Sequence, residues 1–256
     1  MPLRVNHHAS AVILTPEPPL DYQVFLLEQK VDYPLPAFDG AFCLYGGNWS
    51  APDTGPQDTL IRELTEEFSS EVQEDPRELE KLLDGRLAEG ENPGAGIPSH
   101  PPVPPEFLTR FRDHLLSRVT FVETYHVHAS EAVARKDVAF LYSIFEAQLD
   151  LDLFYQMEGY VLHNYALGGP GRMSVVTLHD LLRGKDHGLQ EAWGAFQIIA
   201  DQVDQRAEPP LEKSCLARMP TVPGVEVRST PFAYPDAYAG YSPDEVLFLK
   251  DPRNKK

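Results

Sequence analysis

The stretch of sequence that decides the fold reads GGNWSAPDTGPQDTLIRELTEEF and covers residues 46–68. Two glycines and a proline-containing loop lead into a predicted helix at 57–71. Because an α-helix turns about 100° per residue, Glu63, Glu66 and Glu67 stand at i, i+3 and i+4 and share one face. A separate apolar stripe, which anchors the helix in the core, is predicted from Leu60, Ile61, Leu64 and Phe68.

Three carboxylates on one helix face repel each other, at roughly 0.2–0.5 kcal/mol for each i, i+4 pair of like charges. A hard divalent cation removes this penalty. Magnesium takes oxygen ligands and is commonly shared between one or two carboxylates and substrate phosphates, where it polarises a phosphoryl oxygen and activates water. Arg62 stands four residues before Glu66 and can brace either Glu66 or a neighbouring loop. The alternative interpretation is a solvated acidic helix face.

The elements on either side of this helix indicate a mixed α/β fold. Strands are predicted at 10–15, 22–28, 41–45, 119–127, 137–147, 161–166, 174–177 and 246–249, and further helices at 107–116, 178–183 and 188–203. The short linker at 131–136 favours an antiparallel pair for the two strands beside it. The order of elements differs from the regular βαβ alternation of a doubly wound sheet.

One elaborated domain is predicted to span 1–205. Within it, the acidic and then proline-rich segment at about 72–115 is predicted to be an insertion on the domain surface. The proline-rich segment 206–256, which carries several tyrosines, is predicted to be a C-terminal extension packed on this domain.

Composition narrows the class of protein. The 256 residues are 42% hydrophobic, which suffices for a core without metal or disulfide staples. The formal net charge of −17 argues against binding to a nucleic-acid backbone. Two cysteines, Cys43 and Cys215, are predicted to be free thiols and suit a reducing compartment. Because the chain shows no signal peptide and no window near the roughly 20 apolar residues that span a bilayer, a cytoplasmic protein without membrane partners is predicted.

The residues around the acidic helix resemble the Nudix box, whose pattern is Gly, five residues, Glu, seven residues, then Arg-Glu-aliphatic-x-Glu-Glu-x-Gly-aliphatic. Here Gly47 is followed after five residues by Asp53 in place of Glu, and Arg62 begins the matching Arg-Glu-Leu-x-Glu-Glu run. The loop from Asp53 to Arg62 is one residue longer than the pattern, and Ser69 replaces the closing glycine.

The resemblance implies an α/β/α sandwich and a hydrolase that acts on phosphorus-containing acid anhydrides with Mg²⁺, or alternatively Mn²⁺, as cofactor. Glu63, Glu66 and Glu67 match the family's metal-binding glutamates, and Arg62 matches its orienting arginine. The expected catalytic residues are therefore Glu63, Arg62 and Glu67, with one further carboxylate acting as base.

That further carboxylate comes from a later loop in many family members. Glu158 is the predicted base, with Glu146 as runner-up and a plain surface role as the alternative. The expected substrate-binding residues are Gly46 and Gly47, which shape the loop before the helix, and Trp49, which can stack on a base or sugar or pack structurally.

The expected substrate is a small-molecule diphosphate, with a nucleoside diphosphate derivative such as a nucleotide sugar ahead of a prenyl diphosphate. The rival hypotheses are a catalytically inactive nucleotide-binding or sensor module on the same fold and an acidic scaffold. The resemblance leaves a homodimer open. His126 and His128 alternate on a predicted strand, so they share a face and are weaker candidates for a metal pair.

Overall fold

The structure is a computed structural model, and it describes residues 7–18, 23–30, 33, 35–50, 53–68, 105–135, 137–158, 161–162 and 171–230. Several sequence predictions lie outside these residues. They are the strand at 246–249, the motif position of Ser69, and the part of the predicted insertion from 72 to 104.

A mixed sheet forms the centre of the fold. Its strands in the described residues are β1 (His7–Pro16), β2 (Val24–Lys30), β3 (Phe42–Cys43), β4 (Tyr45–Asn48), β5 (Thr120–Ala129), β6 (Val138–Leu149), β7 (Val161–Leu162), β8 (Gly171–Thr177) and β9 (Val225–Thr230). The main order is β7-β8-β2-β1-β6-β5-β9, and β3 and β4 pair with β2 and β1. The strands β1 and β6 run parallel, whereas β5 and β6 form the predicted antiparallel pair.

Helices cover both faces of this sheet. They are α1 (Pro56–Glu67), α2 (Pro105–Arg118), α3 (Glu131–Ala134), α4 (Leu151–Gln156), α5 (Leu178–Leu182), α6 (Ala195–Arg206) and α7 (Lys213–Leu216). Apolar residues of α1, α2 and α4 share one core, and those of α5 and α6 belong to another on the opposite side. We call the two corresponding sides of the sheet the α1 face and the α6 face. The predicted α/β class with a mixed sheet is confirmed.

The central strand β1 shows why a sheet with two covered faces forms. Ala11 and Ile13 point to the core on the α6 face, and Val12 and Leu14 point to the core on the α1 face. Since successive side chains alternate between faces, a nearly continuous apolar run is buried on both sides. The strand thereby fixes the position of α1 relative to the rest of the sheet.

A fork between β1 and β2 positions the acidic helix. The two strands pair at Leu14 and Leu26, but the first half of β1 pairs with β4 and the end of β2 pairs with β3. Gly46 lies in this fork with φ +136°, and a Cβ there would be 2.1 Å from the backbone oxygen of Ser10. Glycine is therefore required at Gly46 for β4 to approach β1 so closely.

The start of α1 follows from its sequence. Gly55 is the N-cap residue, Pro56 is the first helical residue, and Asp58 lies in the first turn. Proline suits this position because its missing N–H would have no intrahelical partner, and an acidic side chain interacts favourably with the helix dipole. The helix ends at Glu67, four residues before the predicted end at 71.

The predicted insertion and the predicted C-terminal extension each include an element of the sheet or of its cores. The predicted insertion at 72–115 runs into α2, whose Leu108, Phe111 and Leu115 lie in the α1-face core. The predicted extension begins at 206, yet β9 pairs with β5 in the main sheet. The described parts of both segments are therefore integral to the fold.

One helix begins later than predicted. The apolar pattern predicted a helix at 188–203, but α6 is Ala195–Arg206. Gly188, Trp193 and Gly194 all have positive φ, so the chain turns there before the helix starts. Left-handed residues interrupt an α-helix, which explains the shift.

Candidate active site

Arg62 ties the acidic helix to the loop before it. Its Nε lies 3.0 Å from Oδ1 of Asp53, and its Nη2 lies 3.0 Å from Oδ2 of Asp53 and 2.6 Å from the backbone oxygen of Asn48. Its Nη1 donates to Glu63 Oε1 at 2.8 Å and approaches Glu66 Oε2 at 3.4 Å. A planar guanidinium can make this many contacts because it carries five donors in a fixed fork.

Asp53 closes the loop from the other side. It accepts hydrogen bonds from the Ser50 backbone N–H at 3.0 Å and from the Thr59 hydroxyl at 2.9 Å. Burial by itself would raise the pKa of Asp53, but the hydrogen bonds from Arg62, Ser50 and Thr59 outweigh it and hold the pKa below its usual value. Asp53 stands where the motif has the longer glutamate. It still braces the loop, which is one residue longer in this chain than in the motif.

The three glutamates of α1 occupy different environments. Glu63 is 2% exposed and Glu67 is 7% exposed, whereas the side chain of Glu66 is 55% exposed and lies beside Arg62. Within the described residues, no group of three or more His, Cys, Asp or Glu side chains is arranged to hold a metal ion. The helix therefore buries two carboxylates and presents the third to solvent.

Glu63 fits into a space that only glycine leaves open. A Cβ built at Gly47 would lie 2.2 Å from Glu63 Oε2, so any larger residue would displace the carboxylate. Burial raises the pKa of Glu63 to about 7, and the neighbouring Arg62 acts in the opposite direction. Hence Gly47 and Arg62 together define the position and charge of this carboxylate.

A further buried carboxylate, Glu28, was not predicted from the sequence. Glu28 on β2 is buried, its Oε2 lies 2.5 Å from Lys30 Nζ, and the Cys43 thiol lies 3.6 Å from the same oxygen. Burial by itself would lower the pKa of Lys30, but the charge of Glu28, and to a lesser extent that of Glu67, raises it. The signal was available in the strand pattern, since Leu26 and Glu28 alternate onto the α1 face.

The predicted base, Glu158, lies in the turn after α4 and is half-buried. Its charge interacts with Arg172 of β8. The runner-up, Glu146, pairs with Arg206 of α6 at 2.8 Å, which places it on the face opposite α1.

The indole nitrogen of Trp49 forms a hydrogen bond within its own loop. The indole Nε1 donates to the backbone oxygen of Asp53 at 2.9 Å, and the ring stands edge-on to His8 with centroids 5.9 Å apart. The side chain is half-buried. These contacts favour the structural interpretation of Trp49 over a stacking surface.

His126 and His128 share a face, in line with their spacing. They line a cavity of about 180 Å³ together with Asp137, Glu226 and Arg228. Arg228 Nη2 lies 2.7 Å from Glu226 Oε2, an ion pair in which both side chains are exposed.

Two expectations from composition can be compared with the described residues. Cys43 and Cys215 are both free thiols, as predicted. No helix in the described ranges combines the length and apolar character needed to cross a membrane.

Comparisons with known proteins include a distant structural likeness. No protein-family model and no curated protein matches the sequence. Among solved structures, the chain is similar to the crystal structure of a Nudix hydrolase from M. smegmatis, RenU, with a TM-score of 0.34 and 13% identity. The match covers 81% of this chain and 91% of that chain. A match this distant defines no activity, so the α/β class rests on the sheet and helices themselves.

Proposed function

We propose that the protein is a Mg²⁺-dependent hydrolase of the Nudix type that cleaves a diphosphate linkage in a nucleoside diphosphate derivative. One observation carries this proposal. Arg62 holds Asp53 and Asn48 of the loop with two of its nitrogens while a third holds Glu63 against Gly47. The residues that resemble the Nudix box are thus joined in one hydrogen-bonded unit despite the altered spacing.

The donor set fits a magnesium ion. Glu63 and Glu67 are buried carboxylates one turn apart on α1, and Glu66 can approach from the solvent side. Two carboxylates suffice, since Mg²⁺ completes its coordination with water and substrate phosphate oxygens. When bound, the ion supplies charge neutralisation at the phosphoryl oxygens and lowers the pKa of an attacking water.

The chain's own residues would prepare this site. Arg62 fixes the rotamer of Glu63, which leaves Oε2 directed at the Gly47 backbone. Lys30 balances the buried charge of Glu28. Because these groups are fixed by contacts outside the substrate, their orientation needs no rearrangement during the reaction.

The test is a panel of diphosphates with Mg²⁺, with products separated by chromatography. We expect cleavage of at least one nucleoside diphosphate derivative, complete loss of turnover in EDTA, and a drop in kcat of roughly 10²–10³-fold in Glu67→Gln. Circular dichroism and the melting temperature serve as folding controls. Full activity of Glu67→Gln, or no turnover of any diphosphate, would refute the proposal.

A second candidate function is a catalytically inactive nucleotide-binding module. The outward position of Glu66 favours it, because only two α1 carboxylates remain buried. This alternative predicts tight nucleotide binding without hydrolysis at any Mg²⁺ concentration. The same panel, followed by calorimetry with the intact nucleotides, separates it from the hydrolase.

A further inference from the structure

Glu28 and Lys30 of β2 form a mostly buried ion pair. Successive side chains of a strand alternate between faces, so both residues project to the α1 face together with Leu26. Glu28 Oε2 lies 2.5 Å from Lys30 Nζ, and the two side chains are 1% and 13% exposed. Glu28 is therefore the carboxylate that Lys30 contacts directly, and the contact is held in the interior of the fold.

Neighbouring strands fix the position of Glu28. The Cys43 thiol of β3 donates to the Glu28 backbone oxygen at 3.5 Å and lies 3.6 Å from Oε2. Burial, and after it the charge of Glu28, raises the pKa of Cys43, so this thiol is a neutral donor. On the other side, β8 places Gly171 opposite Lys30, and a Cβ at Gly171 would overlap Glu28 Oε1. The glycine thus leaves the space that the Glu28 carboxylate occupies beside Lys30.

Glu67 of α1 lies in the same region as this ion pair. Burial is the largest influence on the pKa values of four groups, and the charges of both Glu28 and Glu67 also act on each of them: Lys30, Cys43, Tyr45 and Tyr142. Because interactions between charges weaken with distance, these shared partners place the two carboxylates near each other. The packing agrees, since the ring of Phe68, the residue after Glu67, lies 5.9 Å from that of Tyr45. Lys30 therefore has a second buried carboxylate within electrostatic range.

The choice that Lys30 makes between these carboxylates matters for a metal ion. Glu67 is one of the metal-binding carboxylates of the proposed function, and an ammonium group carries the same sign of charge as the metal. If Lys30 paired with Glu67, it would occupy a carboxylate oxygen and repel the cation. A buried ammonium that loses Glu28 is left uncompensated unless it turns to the next carboxylate. The contact with Glu28 therefore keeps the charge of Lys30 away from the Glu67 oxygens.

We infer that Glu28 is a positioning residue, which holds Lys30 away from Glu67 so that the Glu67 carboxylate binds the metal ion. The inference rests on the proposed function and adds to it a residue outside the acidic helix. Glu28 acts through Lys30 and is not itself a ligand of the ion. Removing the charge of Glu28 should therefore weaken metal binding, and removing the ammonium as well should restore it.

A titration of the full chain with Mn²⁺, followed by electron paramagnetic resonance, tests this inference without turnover. The decisive variants are Glu28→Gln and the double variant Glu28→Gln/Lys30→Met, which also removes the ammonium that the first releases. Gly171→Ala keeps both charges but displaces the Glu28 carboxylate, and it serves where Glu28→Gln does not fold. Glu191→Gln, which neutralises a buried carboxylate at the start of α6, is the matched control.

We expect Glu28→Gln to bind Mn²⁺ roughly tenfold more weakly than the wild type, and Gly171→Ala to change the affinity in the same direction. The double variant and Glu191→Gln should match the wild type. Unchanged affinity in Glu28→Gln, or in Gly171→Ala where Glu28→Gln does not fold, would overturn the inference. A double variant that binds as weakly as Glu28→Gln would also overturn it, because Glu28 would then be a ligand of the ion.

The two proposals fail in distinguishable ways. If the wild type binds no Mn²⁺, the metal centre falls and the role of Glu28 falls with it. If the wild type binds Mn²⁺ and Glu28→Gln binds it equally well, only the role of Glu28 falls. If the variants behave as expected but no diphosphate is hydrolysed, the role of Glu28 stands and the hydrolase falls. Melting temperatures in EDTA show whether each variant is folded.

Discussion

Two buried glutamates on opposite faces of the sheet differ in how they are held. Glu63 is 2% exposed and Glu191 is 1% exposed, and burial raises the pKa of each to about 7. Glu191 accepts hydrogen bonds from the backbone N–H groups of Phe196 at 2.7 Å and Gln197 at 3.3 Å, and from the Gln197 side chain at 2.7 Å. Glu63 has one donor among the described residues, Arg62.

The contrast separates a carboxylate that is held by three hydrogen bonds from one that is held by a single guanidinium. Glu191 satisfies backbone donors at the start of α6, which an α-helix leaves without intrahelical partners, so its hydrogen bonds serve the fold. Glu63 is oriented by Arg62, and its Oε2 occupies the space beside Gly47 that a side chain there would fill. Burial and pKa alone would not distinguish the two residues.

The largest expected effect comes from neutralising each glutamate in turn. Glu63→Gln should lower kcat by roughly 10²–10³-fold, as expected when a preorganised charge at the reacting group is lost. Its free energy of unfolding at pH 8 should not fall, because glutamine carries no buried charge. Glu191→Gln should retain the wild-type kcat. Equal losses of activity in both variants would contradict the distinction.

Arg62→Ala should be the most destabilising of the single substitutions. It leaves Asp53 and Glu63 buried without their cation, which should lower the free energy of unfolding by roughly 2–4 kcal/mol. Arg62→Lys should recover little of this, since lysine lacks the planar fork. Urea denaturation measures both values.

A control for the loss of charge is available on α2. Arg112 pairs with exposed Asp113 at 3.2 Å, so Arg112→Ala should change the free energy of unfolding by no more than about 0.5 kcal/mol. If Arg112→Ala and Arg62→Ala destabilised equally, the loop-to-helix network would have no special role.

Gly47→Ala should reduce activity while the protein stays folded. The added Cβ would displace the Glu63 carboxylate, and misplacing a catalytic group by about 1 Å can slow a reaction roughly 10²-fold. Gly55→Ala is the matched control, because a Cβ at Gly55 meets no atom within 4 Å and its backbone is extended. Steady-state kinetics of the two variants compare the positions, and equal rates would show that Glu63 tolerates displacement.

The smallest expected effect is a pH dependence that belongs to Glu191. Its folded-state pKa of about 7 exceeds the usual 4.5, so the folded protein holds this proton more tightly than the unfolded chain. Its contribution to stability is therefore full below pH 4.5 and is lost as pH rises to 7.

Comparison with Glu191→Gln isolates this contribution. Relative to that variant, the free energy of unfolding of the wild type should decline by on the order of 1–2 kcal/mol between pH 4.5 and pH 7. Thermal denaturation at several pH values measures the difference. A difference that grows with pH would show that the three hydrogen bonds outweigh burial at Glu191.

The sequence allowed the acidic helix and most of the strands to be predicted because their signals are local. Apolar spacing and the Gly55–Pro56 start place α1, and β-rich runs place the strands of the sheet. The exposure of Glu66, which lies beside the Arg62 that is anchored to Asp53 of the loop, is a property of the tertiary structure. Spacing along a helix carries no information about such contacts.

The inward position of Glu28 and the alignment of Ser10 with Thr124 depend on how the strands pair. Ser10 and Thr124 are far apart in sequence, and only the register of β1, β6 and β5 brings them into one row. A shift of one residue would move either side chain to the opposite face. Pairing across a sheet therefore had to be seen in the structure.

A manganese titration monitored by electron paramagnetic resonance tests the central claim most directly, because it reads metal binding without turnover. We expect the wild type and Glu191→Gln to bind Mn²⁺ with the same affinity, and Glu63→Gln to bind it at least tenfold more weakly. Equal Mn²⁺ affinity in Glu63→Gln and the wild type would contradict a metal centre on α1.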